Sequence, residues 1–368
     1  MTRRRLLVPA LVAIAAVLLT ACGAAGDGGG APSPTVADTR PLGELELLAD
    51  PRAAEGPATA VLPSEAVEPI ADDPAQTLPA TVTSFDVGGA REVTVDDTSR
   101  VLGLDLSGSI AATIWTLGLG DTLVGRDVST TFDGADELPV VTSNGHTIDA
   151  ESVLAARPTL VLTDGSIGPR DVLTQLREAG VTVVFVENES SFAGASELAR
   201  QVSAALGVPD LGIELADRIA ADVDAKIAEI AAIAPAEPDE RVRMMFLYLR
   251  GGSGIYYLFG EESGADELIE GLGGVDVAGE IGWTGMKPMT DEALVAADPD
   301  LILVMTSGLE SAGGIDGLLA EKPALALTAA GEHRRFIDMA DGDILSFGPR
   351  SAAILDALAR AVYAAPTA

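Results

Sequence analysis

Short apolar runs alternate with helical patterns through most of the chain from residue 101 onward. One series of apolar runs covers residues 101–106, 159–162 and 181–186, and a second covers residues 242–249, 301–305 and 336–338. Such alternation is typical of buried parallel strands joined by crossover helices. The pattern predicts two α/β lobes, each with a parallel sheet, and a last helix over Ser351–Tyr363.

One long amphipathic segment separates the two series. It follows Gly-Val-Pro at residues 207–209 and continues to about residue 233. Its apolar residues recur every three or four positions, at Leu215, Ile219, Val223, Ile227 and Ile230. This spacing predicts a helix with a single buried stripe. At about 1.5 Å per residue the helix would be roughly 37 Å long, which is enough to bridge two lobes.

The two series also share an internal repeat. Residues 149–162 and residues 290–303 both indicate a capped short helix, a proline and an apolar strand. Each copy carries a glutamate at the equivalent place, Glu151 and Glu292, which lie 141 positions apart. A duplicated α/β lobe on either side of a rigid helix explains the repeat. The cleft between two such lobes is the expected ligand site.

The amino terminus has the features of an export signal. Residues 3–5 are arginines, residues 6–19 are almost wholly apolar, and residues 19–22 read Leu-Thr-Ala-Cys. These features predict a signal peptide over residues 1–21, exported by either the general or the twin-arginine route. Residues 19–22 resemble a lipobox, in which the cysteine, here Cys22, carries a lipid. We therefore expect an extracytoplasmic protein anchored to the cell membrane by that lipid.

Composition limits the remaining possibilities. The net charge is −33 with only three lysines, which argues against nucleic acid as a partner because that partner requires a basic face. Cys22 is the only cysteine, so the folded part has no disulfide or thiolate metal site. Residues 22–93 are rich in Gly, Ala, Pro and Asp and predict a flexible tether, with a first strand or two between residues 81 and 97. We then expect a first lobe over residues 94–206, a spanning helix over 207–235 and a second lobe over 236–366, in a monomer.

Several short motifs together resemble one family. They lie at residues 110–121, 123–127, 139–142, 247–251, 288–290 and 348–350. In this order and spacing they resemble the haemin-binding lipoproteins (HmuT type) of haem ABC importers, over about residues 97–363. These belong to the class III solute-binding proteins, with those for cobalamin and iron-siderophores. The resemblance implies an α/β fold with two Rossmann-like lobes joined by one long spanning helix.

His146 is the first candidate ligand for haem iron. It lies in a polar turn over residues 143–147, where an α/β sheet often exposes side chains at its binding edge. From position alone, a solvated loop histidine is the more frequent interpretation. The resemblance implies instead that His146 is the iron ligand of the first lobe.

Tyr248 and Arg250 lie two apart on a predicted strand, so both side chains project from one face. Tyrosine is a known ligand of haem iron, and a nearby guanidinium stabilises its phenolate. On spacing alone, an edge-strand tyrosine beside a surface arginine is an equally good interpretation. The resemblance implies that Tyr248 is the second-lobe ligand, with Arg250 as its partner. The transported ligand would then be haemin (haem b, Fe³⁺).

Other residues are candidates for contact with the porphyrin or with partner proteins. Arg126 and Arg350 are candidates for pairing with the propionates, since a guanidinium fork suits carboxylates. Aromatic and thioether candidates for the cleft walls are Tyr257, Trp283, Met286 and Met289. The resemblance also implies that Glu151 and Glu292 dock on arginines of an ABC permease. Both glutamates also lie in a predicted first helical turn, where an acidic side chain favours the helix dipole.

Two rival hypotheses remain. The first keeps the fold and replaces haem with a ferric siderophore or a cobalamin, neither of which needs His146 and Tyr248. The second is an exported enzyme that depends on haem or a dinucleotide. The spacing of Gly118, Gly120 and Gly125 misses the dinucleotide-binding pattern, which disfavours this enzyme. We therefore predict a haem-binding protein with no catalytic activity. Its expected partners are an ABC permease and haem-donating surface proteins.

Overall fold

The computed structural model describes residues 35–36, 39–143 and 145–365. The predicted signal peptide and Cys22 lie outside these residues. The first described elements are β1 (Thr35–Val36), β2 (Ala58–Ala60), β3 (Ala80–Asp86) and β4 (Gly89–Val95). The strands β3 and β4 form an antiparallel hairpin, which confirms the strands expected between residues 81 and 97.

Among the described residues, the first lobe contains a three-stranded parallel sheet, a separate pair of short strands and four α-helices. Its strands are β5 (Val101–Leu104), β6 (Thr142–Ser143), β7 (Thr147–Ile148), β8 (Leu160–Thr163) and β9 (Thr182–Phe185). Its helices are α1 (Ser109–Ile114), α2 (Ala150–Ala156), α3 (Arg170–Glu178) and α4 (Phe192–Ala205). The sheet has the order β5-β8-β9. All residues of β5 and β8 are buried, which explains their continuous apolar runs.

The spanning helix α5 (Pro209–Ala231) joins the lobes. Its proline occupies the first turn, where no backbone N–H is needed. Leu215 and Ile219 pack in the core of the first lobe, and Val223 and Ile230 pack in the core of the second. The stripe predicted from the sequence therefore crosses from one core to the other.

Over residues 236–365, the second lobe contains six strands of a mixed sheet and seven α-helices. Its strands are β10 (Arg243–Arg250), β11 (Ile255–Phe259), β12 (Val275–Asp276), β13 (Met286–Pro288), β14 (Leu301–Met305) and β15 (Phe336–Met339). Its helices are α6 (Ala265–Gly271), α7 (Val277–Glu280), α8 (Asp291–Ala297), α9 (Thr306–Ser311), α10 (Gly314–Glu321), α11 (Ala329–Glu332) and α12 (Ser351–Tyr363). The sheet order is β1-β2-β15-β14-β10-β11-β13, with β12 beside β10. None of the helices within the described ranges has the length and apolar character that a bilayer-crossing helix needs.

The repeat predicted from the sequence is present in both lobes. The side chains of Asp149 and Thr290 cap α2 and α8 by accepting a backbone N–H three residues on. Each helix ends at a residue in the left-handed region, Arg157 with φ 48° and Asp298 with φ 41°. A proline follows, and then the buried strands β8 and β14.

The predicted tether needs a correction. The strand β2 pairs in parallel with β15, with Ala58 opposite Ile337 and Thr59 opposite Asp338. The Thr59 hydroxyl donates to the Asp338 carboxylate at 2.9 Å, and Ala58 is buried. The chain at β2 is therefore part of the second-lobe sheet and not a flexible tether. The strand β2 is stabilised by the edge of a distant sheet, which its Ala-Thr-Ala sequence does not indicate.

The N-terminal segment, residues 39–98, crosses from the second lobe to the first. Leu42 is fully buried in the core of the second lobe. Farther along, the backbone N–H of Ile70 donates to Thr116 and that of Thr77 to Gly207, each at 2.8 Å, in the first lobe. The lobes therefore have a second covalent connection besides α5.

The lobes also share a buried contact. Phe347, which follows β15, inserts into the core of the first lobe and meets the ring of Phe192 edge-on at 5.3 Å. Beside it, the hydroxyl oxygens of Ser109 and Ser346 lie 3.0 Å apart. This contact and the two connections join the lobes beside the cleft.

Candidate functional site

A cavity of about 400 Å³ opens between the two lobes. The first lobe lines it with Leu106, Ser129 and His146. The second lobe lines it with Tyr248, Leu249, Arg250, Gly252, Ser253, Met305, Ser307, Gly308, Ser311 and Asp341. The three residues that the sequence analysis favours for haem binding, His146, Tyr248 and Arg250, are therefore brought together from opposite lobes.

His146 lies in the turn between β6 and β7. The antiparallel pairing of these short strands fixes the ends of the turn, and Gly145 with φ +82° allows its tight bend. The imidazole is half-buried, and its Nδ1 has no hydrogen-bond partner among the described residues. Burial, and then the charge of Arg250, lower the pKa of His146, while Asp341 opposes them. The neutral imidazole that iron ligation requires is therefore favoured.

Tyr248 is held by aromatic neighbours on the face of the second-lobe sheet. Its ring stacks on Phe259 with centroids 5.7 Å apart and an angle of 20°, and the ring of Tyr257 lies 6.5 Å away. The flanking residues Leu247 and Leu249 are buried on the opposite face, as strand alternation requires. These contacts limit the rotation of a half-buried phenol that faces the cavity.

Arg250 ends β10 on the same face as Tyr248. Its side chain is exposed at the cavity rim, and its charge acts on His146 across the cleft. Within the described part of the chain, no carboxylate forms an ion pair with Arg250. The guanidinium is therefore available to an anionic ligand group or to the Tyr248 phenolate.

Neither of the arginines predicted to pair with propionates lines the cavity. Arg126 donates to the backbone carbonyls of Asp127 at 3.4 Å and Thr130 at 3.1 Å, within its own loop. Arg350 is buried and forms an ion pair with Asp343 at 2.7 Å. Both guanidinium groups therefore bind polar groups inside the protein. The local sequence does not reveal these contacts.

The four predicted wall residues also lie outside the cavity lining. Tyr257 lies beside Tyr248, which lines the cavity. The Trp283 indole donates to the carbonyl of Leu258 at 3.2 Å. Trp283 and Met289 both pack against the second-lobe core that contains Leu258. Met286 lies on the surface strand β13 with 59% of its area exposed.

The cavity includes residues that the sequence analysis missed. Leu106, Met305 and Asp341 lie at or just after the ends of β5, β14 and β15. The Asp341 carboxylate accepts the N–H of Ser307 at 2.9 Å, which fixes it at the cavity wall. The sequence could have indicated these residues, because parallel strands expose the residues at their carboxyl ends at one edge of the sheet.

Comparison with protein families and solved structures identifies relatives of this chain. The periplasmic binding protein family matches residues 106–341. The chain belongs to this family. A solved structure of the haem-binding protein HmuT is 39% identical, covering 85% of this chain and 99% of that one, with a TM-score of 0.78.

Two further relatives of this periplasmic binding protein are informative. The periplasmic haem-binding protein RhuT from Roseiflexus sp. RS-1 is 36% identical over 72% of this chain and 98% of its own, with a TM-score of 0.63. The uncharacterized ABC transporter substrate-binding lipoprotein YvrC of Bacillus subtilis (strain 168) is 25% identical over 252 residues, which is 68% of this chain and 76% of its own length. The predicted two-lobed α/β fold and the resemblance to haem-binding relatives are confirmed.

Proposed function

We propose that this protein captures haem outside the cell membrane and delivers it to an ABC permease. The observation that carries the proposal is the cavity that His146 and Tyr248 line from opposite lobes, with Arg250 on its rim. Haem-binding relatives of the same fold at 36–39% identity support haem as the ligand. Binding and transfer, without catalysis, suit a family of solute-binding proteins.

In this proposal, His146 and Tyr248 are the two axial ligands of ferric haem. Neutral imidazole and phenolate are both iron ligands found in haem proteins. Arg250 stabilises the phenolate, which stands next to it on the same strand face. Ligands from both lobes make affinity depend on the distance between the lobes, so a small separation releases the haem.

The partners follow from the same proposal. Cys22 carries the lipid that keeps the protein at the membrane, and residues 23–34 connect this anchor to the folded part. Glu151 and Glu292 are exposed on α2 and α8, at equivalent places in the two lobes, and dock on basic residues of the permease. Haem arrives free or from haem-donating surface proteins.

A haemin titration of the fragment beginning at residue 23 tests the proposal. We expect a saturable complex with a tyrosinate-type charge-transfer band, and altered spectra in the variants His146→Ala and Tyr248→Ala. His333→Ala is the matched control, because it removes the other histidine of the chain, which lies beside α11 and away from the cavity. A folded protein with no saturable change would contradict haem binding and favour a siderophore or a cobalamin.

A further inference from the structure

The N-terminal segment crosses from one lobe to the other over a short length of chain. Leu62 is buried in the core of the second lobe, and Val67 is buried in the core of the first. Residues 62–67 are here called the strap. Extended chain reaches at most about 18 Å over this length. The strap therefore limits how far the lobes can separate before Leu62 or Val67 leaves its core.

The chain before the strap is fixed to the second lobe. The strand β2 pairs with β15, and just before it the N–H of Gly56 donates to the carbonyl of His333 at 2.8 Å. The guanidinium of Arg52 forms an ion pair with Asp300 at 2.8 Å. These contacts leave no slack on this side of the strap.

The chain after the strap is fixed to the first lobe. The side-chain amide of Gln76 donates to the carbonyl of Leu206 at 2.9 Å. Farther along, the buried hydroxyl of Ser84 on β3 accepts the N–H of Phe185 on β9, also at 2.9 Å. A pull on the strap is therefore transmitted to both lobes.

The middle of the strap contacts both lobes as well. The carbonyl of Glu65 accepts the N–H of Asp133, in the first lobe, at 3.0 Å. Its carboxylate lies 3.3 Å from a terminal nitrogen of Arg350, in the second lobe. Pro63 and Ser64 are exposed, so the strap runs along the surface of the junction.

The junction beside the strap borders the ligand cavity. Gly342 of the second lobe packs so closely on the first lobe that a Cβ at this position would lie 2.7 Å from the carbonyl oxygen of Ser129. Ser129 and Asp341, the residue before Gly342, both line the cavity. Separation of the lobes at this junction would therefore widen the cavity.

We propose that the strap restrains the separation of the lobes and so slows the spontaneous release of haem. A single connection leaves two lobes free to turn about it, whereas a second, short connection restricts that movement. The strap lies outside residues 106–341, which match the family, so it adds a restraint to the matched fold. The part of this inference that concerns haem rests on the proposed function, and the restraint on the lobes does not.

A lengthened strap tests the restraint without haem. About twelve alternating glycines and serines are inserted between Pro63 and Ser64 in the fragment beginning at residue 23, which contains every described residue. This fragment lacks Cys22, the only cysteine, so Ala155→Cys and Ala296→Cys place one spin label on each lobe at exposed positions. We expect the insertion to broaden the distribution of distances between the labels, measured by double electron–electron resonance.

The matched control carries the same insertion between Gly88 and Gly89. These exposed residues form the tip of the hairpin of β3 and β4, within one lobe, so the distance distribution should stay parental. A protease recognition sequence within the strap insertion allows the strap to be cut after folding, which should broaden the distribution further. A parental distribution after cutting would overturn the restraint.

Transfer of haemin to apomyoglobin measures the effect on release. Lengthening the strap from four intervening residues to about sixteen is two doublings, which weakens the entropic hold of a flexible loop by roughly eightfold. We expect haemin release to become faster by up to this factor, and the control insertion to keep the parental rate. A broadened distribution with a parental release rate would overturn the role in haem release. Failure of the parent to bind haemin would refute the proposed function, while the distance measurement would still decide the restraint.

Discussion

The guanidinium of Arg350 lies 2.7 Å from the carboxylate of Asp343 at the junction of the lobes. Its other terminal nitrogen lies 3.3 Å from the carboxylate of Glu65 in the N-terminal segment. The carbonyl of Glu65 in turn accepts the N–H of Asp133, in the first lobe, at 3.0 Å. Arg350 therefore connects three parts of the molecule and is not free for a haem propionate.

Removal of Arg350 should destabilise the fold without removing haemin binding. Asp343 is only 4% exposed, so Arg350→Ala leaves a buried carboxylate unpaired, at a cost of about 3–5 kcal/mol in the free energy of unfolding. Glu65→Gln breaks a half-exposed pair and should cost less than about 1 kcal/mol. Urea denaturation at pH 7 measures both. An Arg350→Ala protein of parental stability that no longer binds haemin would restore Arg350 as a propionate partner.

The N-terminal segment should contribute to stability as part of the second lobe. Leu42 is fully buried, so Leu42→Ala should lower the free energy of unfolding by about 2–5 kcal/mol. Leu47, in the same segment, is 37% exposed, and Leu47→Ala serves as the control with a much smaller loss. Thermal and urea denaturation of the fragment beginning at residue 23 measure both variants. Parental stability of Leu42→Ala would mean that this segment is a tether after all.

The sequence predicts those features that repeat along the chain. The helix α12 has the predicted bounds, and the stripe of α5 crosses between the cores as expected, because a buried face imposes a period that persists over many residues. The strand β2 was missed because three small residues carry no period. The partners of Arg126 and Arg350 were missed because they depend on loops and on distant residues. His146 and Tyr248 were singled out by resemblance. Position alone favoured a solvated loop histidine at His146 and left an edge-strand tyrosine equally open at Tyr248.

Arg250 should strengthen haemin binding by stabilising the Tyr248 phenolate. Loss of a hydrogen bond to a charged group costs about 1.5–3 kcal/mol, so Arg250→Ala should weaken haemin binding roughly tenfold or more. Arg250→Lys keeps the charge without the planar fork, so its affinity for haemin should lie between those of the parent and Arg250→Ala. Titration by the Soret band gives the affinities, and the charge-transfer band reports the phenolate. If the affinity and spectra of Arg250→Ala equalled those of the parent, Arg250 would have no role in haemin binding.

A buried pair of carboxyl groups lies behind the first-lobe wall of the cavity. Asp105 and Asp127 are both fully buried, at the ends of segments that carry Leu106 and Ser129. Burial, and then the neighbouring charge of Asp127, raise the pKa of Asp105 to about 8. Burial raises the pKa of Asp127 to about 6. Hydrogen bonds that its carboxylate accepts from the backbone N–H groups of Asp105, Ser129 and Thr130 and from the Thr130 hydroxyl oppose this shift.

These raised pKa values predict that stability falls as the pH rises. An unfolded aspartate releases its proton near pH 3.8, whereas the folded pair keeps protons up to about pH 6 and pH 8. The stabilising contribution is therefore fully present below the unfolded pKa and is lost as the pH rises through the folded values. Each extra proton held by the folded state gives a slope of about 1.4 kcal/mol per pH unit.

Urea denaturation between pH 5 and pH 8 measures this slope. The variant Asp105→Asn removes the group with the higher pKa and the charge that it would carry, so its stability should depend less on pH than that of the parent. The exposed Asp136→Asn is the control, because it removes one negative charge from the surface and should keep the parental slope. The slope, and not the stability at one pH, is decisive, since an asparagine also loses part of the capping of α1 by Asp105. Equal slopes in the parent and Asp105→Asn would mean that the buried pair does not hold its protons in the folded state.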